Sequence, residues 1–426
     1  MATRPRVLYL SQSLPYPPHT GAAARIFNIL LQLEKAYDVD LVAFYRVKHQ
    51  PDRHAVGAAW EALKRLGDFV AEPTPIPNEH SALRKLWDHA RSLLSGRVYT
   101  YYAHESRLFA RRLRDALGAH TPDLVHVEGL DLHRSLRNLP SVPIACTHQD
   151  IESDLLRRRA HRLTNIAARH YFLLQADRVE RLERELCPQF ALNVMMSEVD
   201  ARKLRALAPG AVTVVVPNGT DTDYFQPNGT TPLPGRVTFV GPTASHPNRD
   251  ALEFLLRDIW PQVLAVDRAA SLQLIGRSTP ADQARYSLEP GVNAVGHVAD
   301  LRPLLAEAAC CVVPIRIGGG TRLKILDAWA MGKAVVSTSI GCEGLDAVDG
   351  ENILIRDTPA AFAAAVLAVL GNAQLRERLE RNGRRTATQS YSWNSVGQHL
   401  RAAYDQLIGP RSSRADTNVV ANDAGV

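Results

Sequence analysis

The sequence predicts an α/β protein of two domains, each a doubly wound parallel sheet. Three observations carry that prediction. Arg6–Ser11 reads as a strand, residues 22–33 as a helix and Val39–Phe44 as a second strand, and strands alternating with helices at this spacing build parallel sheets. The same pattern restarts at Arg236–Gly241, after a stretch rich in Pro, Gly and Asn over residues 226–235. The chain is 426 residues long, a length that predicts two domains.

Hydrophobic residues make up 46% of the chain and charged ones 22%, enough apolar matter for full cores. Five cysteines, at 146, 187, 310, 311 and 342, show neither metal nor disulfide spacing, and their number is odd. They read as core thiols in a reducing cytoplasm. Too short an apolar run follows Met1–Arg6 for a signal peptide, and no stretch approaches the ~20 apolar residues of a membrane span. The expected location is cytoplasmic. Charge is uneven: residues 1–215 hold 30 Lys and Arg against 23 Asp and Glu, and the remainder 20 against 21, giving +6 in total. The basic first half fits peripheral contact with an anionic inner membrane face, or else a solvated arginine-rich surface. No basic-aromatic binding motif is present, so nucleic acid is not an expected partner.

In the first half, the loop Pro15–Gly21 follows the first strand, with Gly21 at the helix start and Arg25 in its first turn. Residues 70–105 read as irregular, with prolines at 73, 75 and 77, then as a basic, aromatic helix ending in Val98–Tyr102. Asp123–Glu128 and Val142–Thr147 read as buried strands. His148, Asp150, Glu152 and Asp154 follow the second of these, at the sheet edge where α/β proteins place ligands. Residues 155–186 form a long helical stretch whose charges describe a solvated face. Phe190–Ser197 and Val212–Val216 are further strands.

In the second half, Ser271–Gly276 and Val292–Val298 are strands and residues 361–370 an apolar helix. Residues 311–338, CVVPIRIGGGTRLKILDAWAMGKAVVST, read as strand, glycine loop, helix, strand. Gly318, Gly319 and Gly320 let the backbone approach a ligand closely, and Thr321 is a good N-cap. A glycine loop entering a helix start presents bare N–H groups and the positive dipole end, which suits a phosphate. Arg322 and Lys324 add two charges there, and Asp327 lies one turn below. No Gly-Lys-Ser/Thr closes the loop, so it is not a Walker loop.

These stretches resemble retaining GT-B glycosyltransferases of family 4 (glycosyl transferases group 1) over about residues 5–408. Asp327–Val336 matches the tail of that family's donor motif, and Pro217-Asn218-Gly219-Thr-Asp221-Thr-Asp223-Tyr-Phe225 its hinge signature. Gly319 stands where the family's first glutamate usually sits, and Asp327 replaces the second. The Gly-Gly-Thr-Arg-Leu-Lys form resembles a subgroup associated with exopolysaccharide clusters. The resemblance implies two Rossmann-like domains facing across a cleft, with a C-terminal helix returning to the first. The expected layout is an acceptor-side domain over 1–217, a hinge over 218–235 and a nucleotide-sugar domain over 236–390. A crossover helix at 391–410 and a disordered tail at 411–426 complete it. Residues 70–105 then read as an insertion shaping the acceptor side, or as packing of a long connection.

The implied reaction moves a sugar, with retention, from a UDP- or GDP-linked donor to a hydroxyl of a glycan or lipid-linked acceptor in polysaccharide or glycoconjugate synthesis. No cofactor and no metal is expected. Gly319 would lie in the donor site, where Gly320, Thr321 and Leu323 would offer backbone N–H groups, Arg322 and Lys324 charge, and Asp327 a ribose contact. Gly21 would face the donor phosphates, Val298 the base and His148 the donor sugar. The loop after Gly241 lacks the family's usual cationic pair, and Arg25 and Arg249 are the next basic candidates. Asp221 and Asp223 resemble a metal-binding acid pair, but they follow a hinge turn. Two rivals stand beside this reading: a sugar-nucleotide epimerase using Asp150, Glu152 and Asp154, and a non-catalytic nucleotide-sugar or glycan binder.

Overall fold

Every strand pairing among the described residues is parallel. The computed structural model describes residues 4–409 except 19, 68, 162 and 318–322. The tail expected at 411–426 lies outside that range. The chain divides into two compact units, Met1–Val216 with Gly397–Val426, and Pro217–Val396.

The first unit is built on β1 (Arg6–Ser11), β2 (Asp38–Tyr45), β3 (Phe69–Val70), β4 (Thr74–Pro75), β5 (Leu124–Glu128), β6 (Ile144–His148), β7 (Leu192–Met195) and β8 (Thr213–Val215). They run in the order β3-β2-β1-β5-β6-β7-β8, with β4 also on β2. Unbroken apolar runs such as Val7-Leu8-Tyr9-Leu10 are buried, as expected of a parallel sheet covered on both faces. Leu8, Leu10, Val42, Phe44, Phe109 and Val127 share one core cluster.

Two expectations need correcting here. Residues 70–105 are more regular than their prolines implied. Phe69–Val70 pairs with Asp40 and Leu41, and Thr74–Pro75 with Phe44 and Tyr45. Proline, lacking an N–H, is compatible with such an edge. The following helix is two helices, Ala82–Ser95 and Tyr99–Ala103, separated at Gly96, whose φ of +73° is a left-handed helix stop. The first packs on the helix Ile166–Leu186, where His89 Nδ1 lies 2.6 Å from the Tyr171 hydroxyl. The helical stretch 155–186 is likewise two helices, Glu152–His161 and Ile166–Leu186. Asn165 starts the second, its side chain accepting from Ala168 N at 2.9 Å.

The second unit holds β9 (Arg236–Val240), β10 (Ser271–Ile275), β11 (Val292–Gly296), β12 (Cys310–Val313), β13 (Val335–Ser337) and β14 (Leu354–Ile355). Their order, β11-β10-β9-β12-β13-β14, is the Rossmann order. It reverses between β9 and β12, the point where such sheets bind ligands beyond the strand ends. Trp329, Phe239, Leu252, Val312, Val336 and Phe362 lie in its core. Cys310 and Cys311 are inside β12, and all five cysteines are buried and unpaired. The apolar helix Pro359–Gly371 buries Phe362, Val366 and Val369. The last helix is Trp393–Ile408, and its residues from Gly397 onward belong to the first unit. No single described helix is long and apolar enough to cross a membrane.

Candidate functional site

At the switch point of the second sheet two sequence-selected residues, Lys324 and Gly241, meet a third, Asn248. The helix Leu323–Ala330 begins past the carboxyl end of β12, and partly buried Lys324 sends Nζ to Asn248 Oδ1 at 2.9 Å. Asn248 in turn donates from Nδ2 to Pro242 O, also at 2.9 Å. Gly241 follows β9 directly beneath them: a Cβ there would stand 2.9 Å from Lys324 Nζ and 2.6 Å from Asn248 Nδ2. The ammonium therefore sits over a bare backbone at the carboxyl end of β9. Leu323 is the partly buried first residue of this helix, and Val298 is partly buried just past β11. Gly319, Gly320, Thr321 and Arg322 lie outside the described residues.

One turn further, Asp327 accepts a hydrogen bond from Thr220 Oγ1 at 2.7 Å. Thr220 directly follows Pro217-Asn218-Gly219, so the hinge motif and the helix Leu323–Ala330 touch within the second unit. Thr220 N also donates to Tyr391 O at 2.8 Å. Gly219 is required by packing, because a Cβ would come within 2.7 Å of the Trp393 ring. Arg384 holds the following turn at 222–224, donating to Phe225 O at 2.8 Å, Thr222 O at 3.1 Å and Ala330 O at 2.6 Å. Burial lifts the Asp327 carboxyl from its ordinary 3.8 to about 7, against the opposing pull of the Thr220 hydroxyl. A carboxyl half-protonated at neutral pH is unusual, and such groups concentrate at functional sites.

In the first unit the expected residues take mixed places. His148 ends β6 and is buried; its Nε2 faces Asn193 Oδ1 at 2.9 Å, with Cys187 Sγ at 4.0 Å. Burial pulls its pKa down to about 4, so the ring is neutral. With Nε2–H donated to Asn193, Nδ1 is an acceptor that no described residue engages. Gly21 opens its helix, and Thr20 Oγ1 accepts from Ala23 N at 3.2 Å. This helix start borders a cavity of about 210 Å³ lined also by Gln12, Ser13, Arg46, His49 and Gln149. Arg25 is not available to a ligand phosphate as expected: it is buried, with Nη2 donating to Val216 O at 2.8 Å. Arg249 is exposed.

The acids of the epimerase reading are differently engaged. Asp154 lies 3.1 Å from Lys203 Nζ and 3.6 Å from Arg158, and Asp150 3.8 Å from Arg158. Burial, with help from Asp131, Asp150 and Glu183, lifts Glu152 to about 8. Asp221 Oδ1 accepts from Asp223 N and Tyr224 N at 3.1 and 2.9 Å, so it caps a turn. Among the described residues no group of three or more His, Cys, Asp or Glu is placed to hold a metal.

Sequence reasoning missed Thr220, Asn248, Asn193 and Arg384. Thr220 had a signal, since it follows the hinge motif directly; Asn248 lay in a stretch noted only for lacking cations. It also missed a buried polar network at the centre of the first sheet. Tyr9 donates to Glu128, the Tyr404 hydroxyl meets His126 Nδ1, and Thr147 Oγ1 lies 3.2 Å from His126 Nε2.

Two parallel sheets in Rossmann-like units define an α/β protein of the GT-B class. The family model described as "Glycosyl transferases group 1" matches residues 234–372, within the second unit. Among curated proteins, the chain is 30% identical over 209 residues to MMP alpha-(1->4)-mannosyltransferase of Mycolicibacterium hassiacum, covering 46% of this chain and 48% of that one. It is 29% identical over 224 residues to phosphatidyl-myo-inositol mannosyltransferase of Mycobacterium tuberculosis, covering 49% and 58%. The chain thus spans about half the length of the curated relatives it matches. Among solved structures, Anabaena HepE in complex with UDP and glucose superimposes with a TM-score of 0.61 at 15% identity, covering 94% of this chain and 99% of that one.

Proposed function

We propose that this protein is a glycosyltransferase that moves a sugar from a nucleotide-diphosphate donor to a hydroxyl of a glycan or lipid-linked acceptor. The observation that carries the reading is the junction in the second unit. Lys324 sits over Gly241 at the sheet's switch point, and Asp327 is clasped by Thr220 one helical turn away. A cation and a carboxyl in that order fit a diphosphate followed by a ribose. The family match over 234–372 includes Gly241, Lys324 and Asp327, and the curated relatives are mannosyltransferases by name.

The finer reading is transfer with retention and without metal. The C1–O bond to the donor phosphate breaks as the acceptor oxygen bonds to C1, and the departing phosphate oxygen accepts the acceptor's proton. The protein's share is positioning and stabilisation of the leaving diphosphate. Lys324 supplies charge, Asp327 holds a ribose hydroxyl, and the neutral His148 accepts from a sugar hydroxyl through Nδ1. Polysaccharide or glycoconjugate synthesis in the cytoplasm is the setting this reading favours. Incubation of the purified chain with UDP- and GDP-sugars tests it. Release of the nucleotide diphosphate, undiminished by EDTA, is the expected result. A changed sugar still joined to its nucleotide, or activity lost to EDTA and restored by Mn²⁺, overturns it.

A further inference from the structure

We propose that the helix Ala82–Ser95 docks the first unit onto an anionic lipid surface. This helix is inverted with respect to an ordinary surface helix. Leu83, Leu86, Trp87, Leu93 and Leu94 are 81%, 67%, 58%, 50% and 84% exposed, whereas Asp88 and Ser92 are fully buried. At about 100° per residue the five apolar side chains share one face of about 120°. Soluble proteins seldom leave so continuous an apolar face in water.

The helix cannot roll to hide its leucines, because its polar side is held from within. Asn78, outside the helix, donates from Nδ2 to Asp88 Oδ2 at 3.4 Å. Ser92 Oγ donates to Arg97 O at 2.8 Å, and Gln175 Nε2 donates to Ser92 Oγ at 2.9 Å. Buried Arg178 donates to Ser92 O at 2.7 Å. The outward face is therefore a built feature of the unit.

Charge selects the occupant. The helix ends at Gly96, which opens a cavity of about 610 Å³ lined by Arg97, Arg137, Arg178 and Arg181 against one acid, Glu185, among the described lining residues. Arg97, Arg137 and Arg181 are exposed, and none of them is ion-paired among the described residues. Lys85 is exposed on the helix itself. An apolar face that includes a tryptophan, with arginines just past its end, matches an interfacial helix. The leucines and Trp87 enter the acyl boundary while the arginines meet headgroup phosphates. A second copy of the chain would set these arginines against one another, so the bilayer is the better partner.

The test is co-sedimentation of the full chain with vesicles of phosphatidylcholine containing about one third phosphatidylglycerol, compared with phosphatidylcholine alone. No sugar transfer is read, so the result is independent of the proposed activity. The wild type is expected to bind the anionic vesicles in preference. A Leu83→Glu/Leu94→Glu variant should bind at least about tenfold more weakly, with circular dichroism and thermal midpoint unchanged. An Arg97→Glu/Arg137→Glu variant should lose the preference for phosphatidylglycerol. No binding by the wild type, or equal binding by the leucine variant, overturns the proposal. So does a wild-type dimer, seen by sedimentation velocity, that ignores vesicles and is split by the leucine variant, which would assign the face to a second copy.

Discussion

Replacing Asp327 by Asn separates what this carboxyl costs the fold from what it does for a ligand. Its pKa rises from 3.8 to about 7, chiefly by burial. The contribution of this group to stability is therefore complete below about pH 3.8 and is lost as pH rises through 7. A tenfold change in proton affinity corresponds to about 1.4 kcal/mol, so the ionised group costs at most about 4 kcal/mol. The side chain keeps some solvent contact, which brings the expected cost to about 2 kcal/mol. Asn retains an oxygen for the Thr220 hydroxyl but carries no charge. Calorimetry at pH 8 should show the Asp327→Asn melting transition about 4–8 °C above wild type, and near pH 4 the two should coincide. If the carboxylate holds a ribose hydroxyl, the same variant should bind UDP or GDP about tenfold more weakly. A protein that is more stable yet binds less well is the signature of a group kept for function. Equal melting at both pH values would refute the burial argument, and unchanged nucleotide affinity would refute the ribose contact.

His148→Ala leaves Asn193 without its donor and opens a gap beside Cys187, so it should cost about 1–3 kcal/mol of stability. It should also lower kcat/KM by about 1.5–3 kcal/mol while sparing nucleotide-diphosphate affinity in calorimetric titration. Because the ring stays neutral down to about pH 4 against an ordinary 6.5, wild-type stability should fall as pH drops between those values, and urea midpoints for His148→Ala should lack that portion of the fall. Arg322→Ala should weaken nucleotide-diphosphate binding by about 2 kcal/mol, with Lys324→Ala costing less; normal binding by both would move the diphosphate site elsewhere. Gly219→Ala drives a methyl into the Trp393 ring and should destabilise the second unit by about 1–3 kcal/mol, read as a lowered thermal midpoint.

The strands were legible because parallel strands buried on both faces need unbroken apolar runs, and Val7–Leu10 and Cys310–Val313 supply them. Two local features were legible as chemistry: Gly219, where a side chain cannot fit, and Lys324, a charge in the first turn of a helix. The break at Asn165 and the split at Gly96 were written in single residues, but helical periodicity on either side masked them. What the sequence could not show is which distant groups meet. Asp327 reads as a free carboxylate until Thr220, 107 residues away, closes on it. His148 reads as a histidine at a strand end, and only the fold brings Asn193 and Cys187 to its Nε2. Arg25 reads as a cation at a helix start, and only packing turns it inward to Val216. In the helix Ala82–Ser95, amphipathicity predicts one apolar and one polar face but not which faces the protein. That was decided by Gln175 and Arg178, which lie on another helix and hold the polar face inward. Periodicity and local chemistry are properties of neighbouring residues, so the sequence determined the elements and the motifs. Burial, pKa and the direction a face points depend on groups brought together from across the chain, and only the tertiary structure decided them.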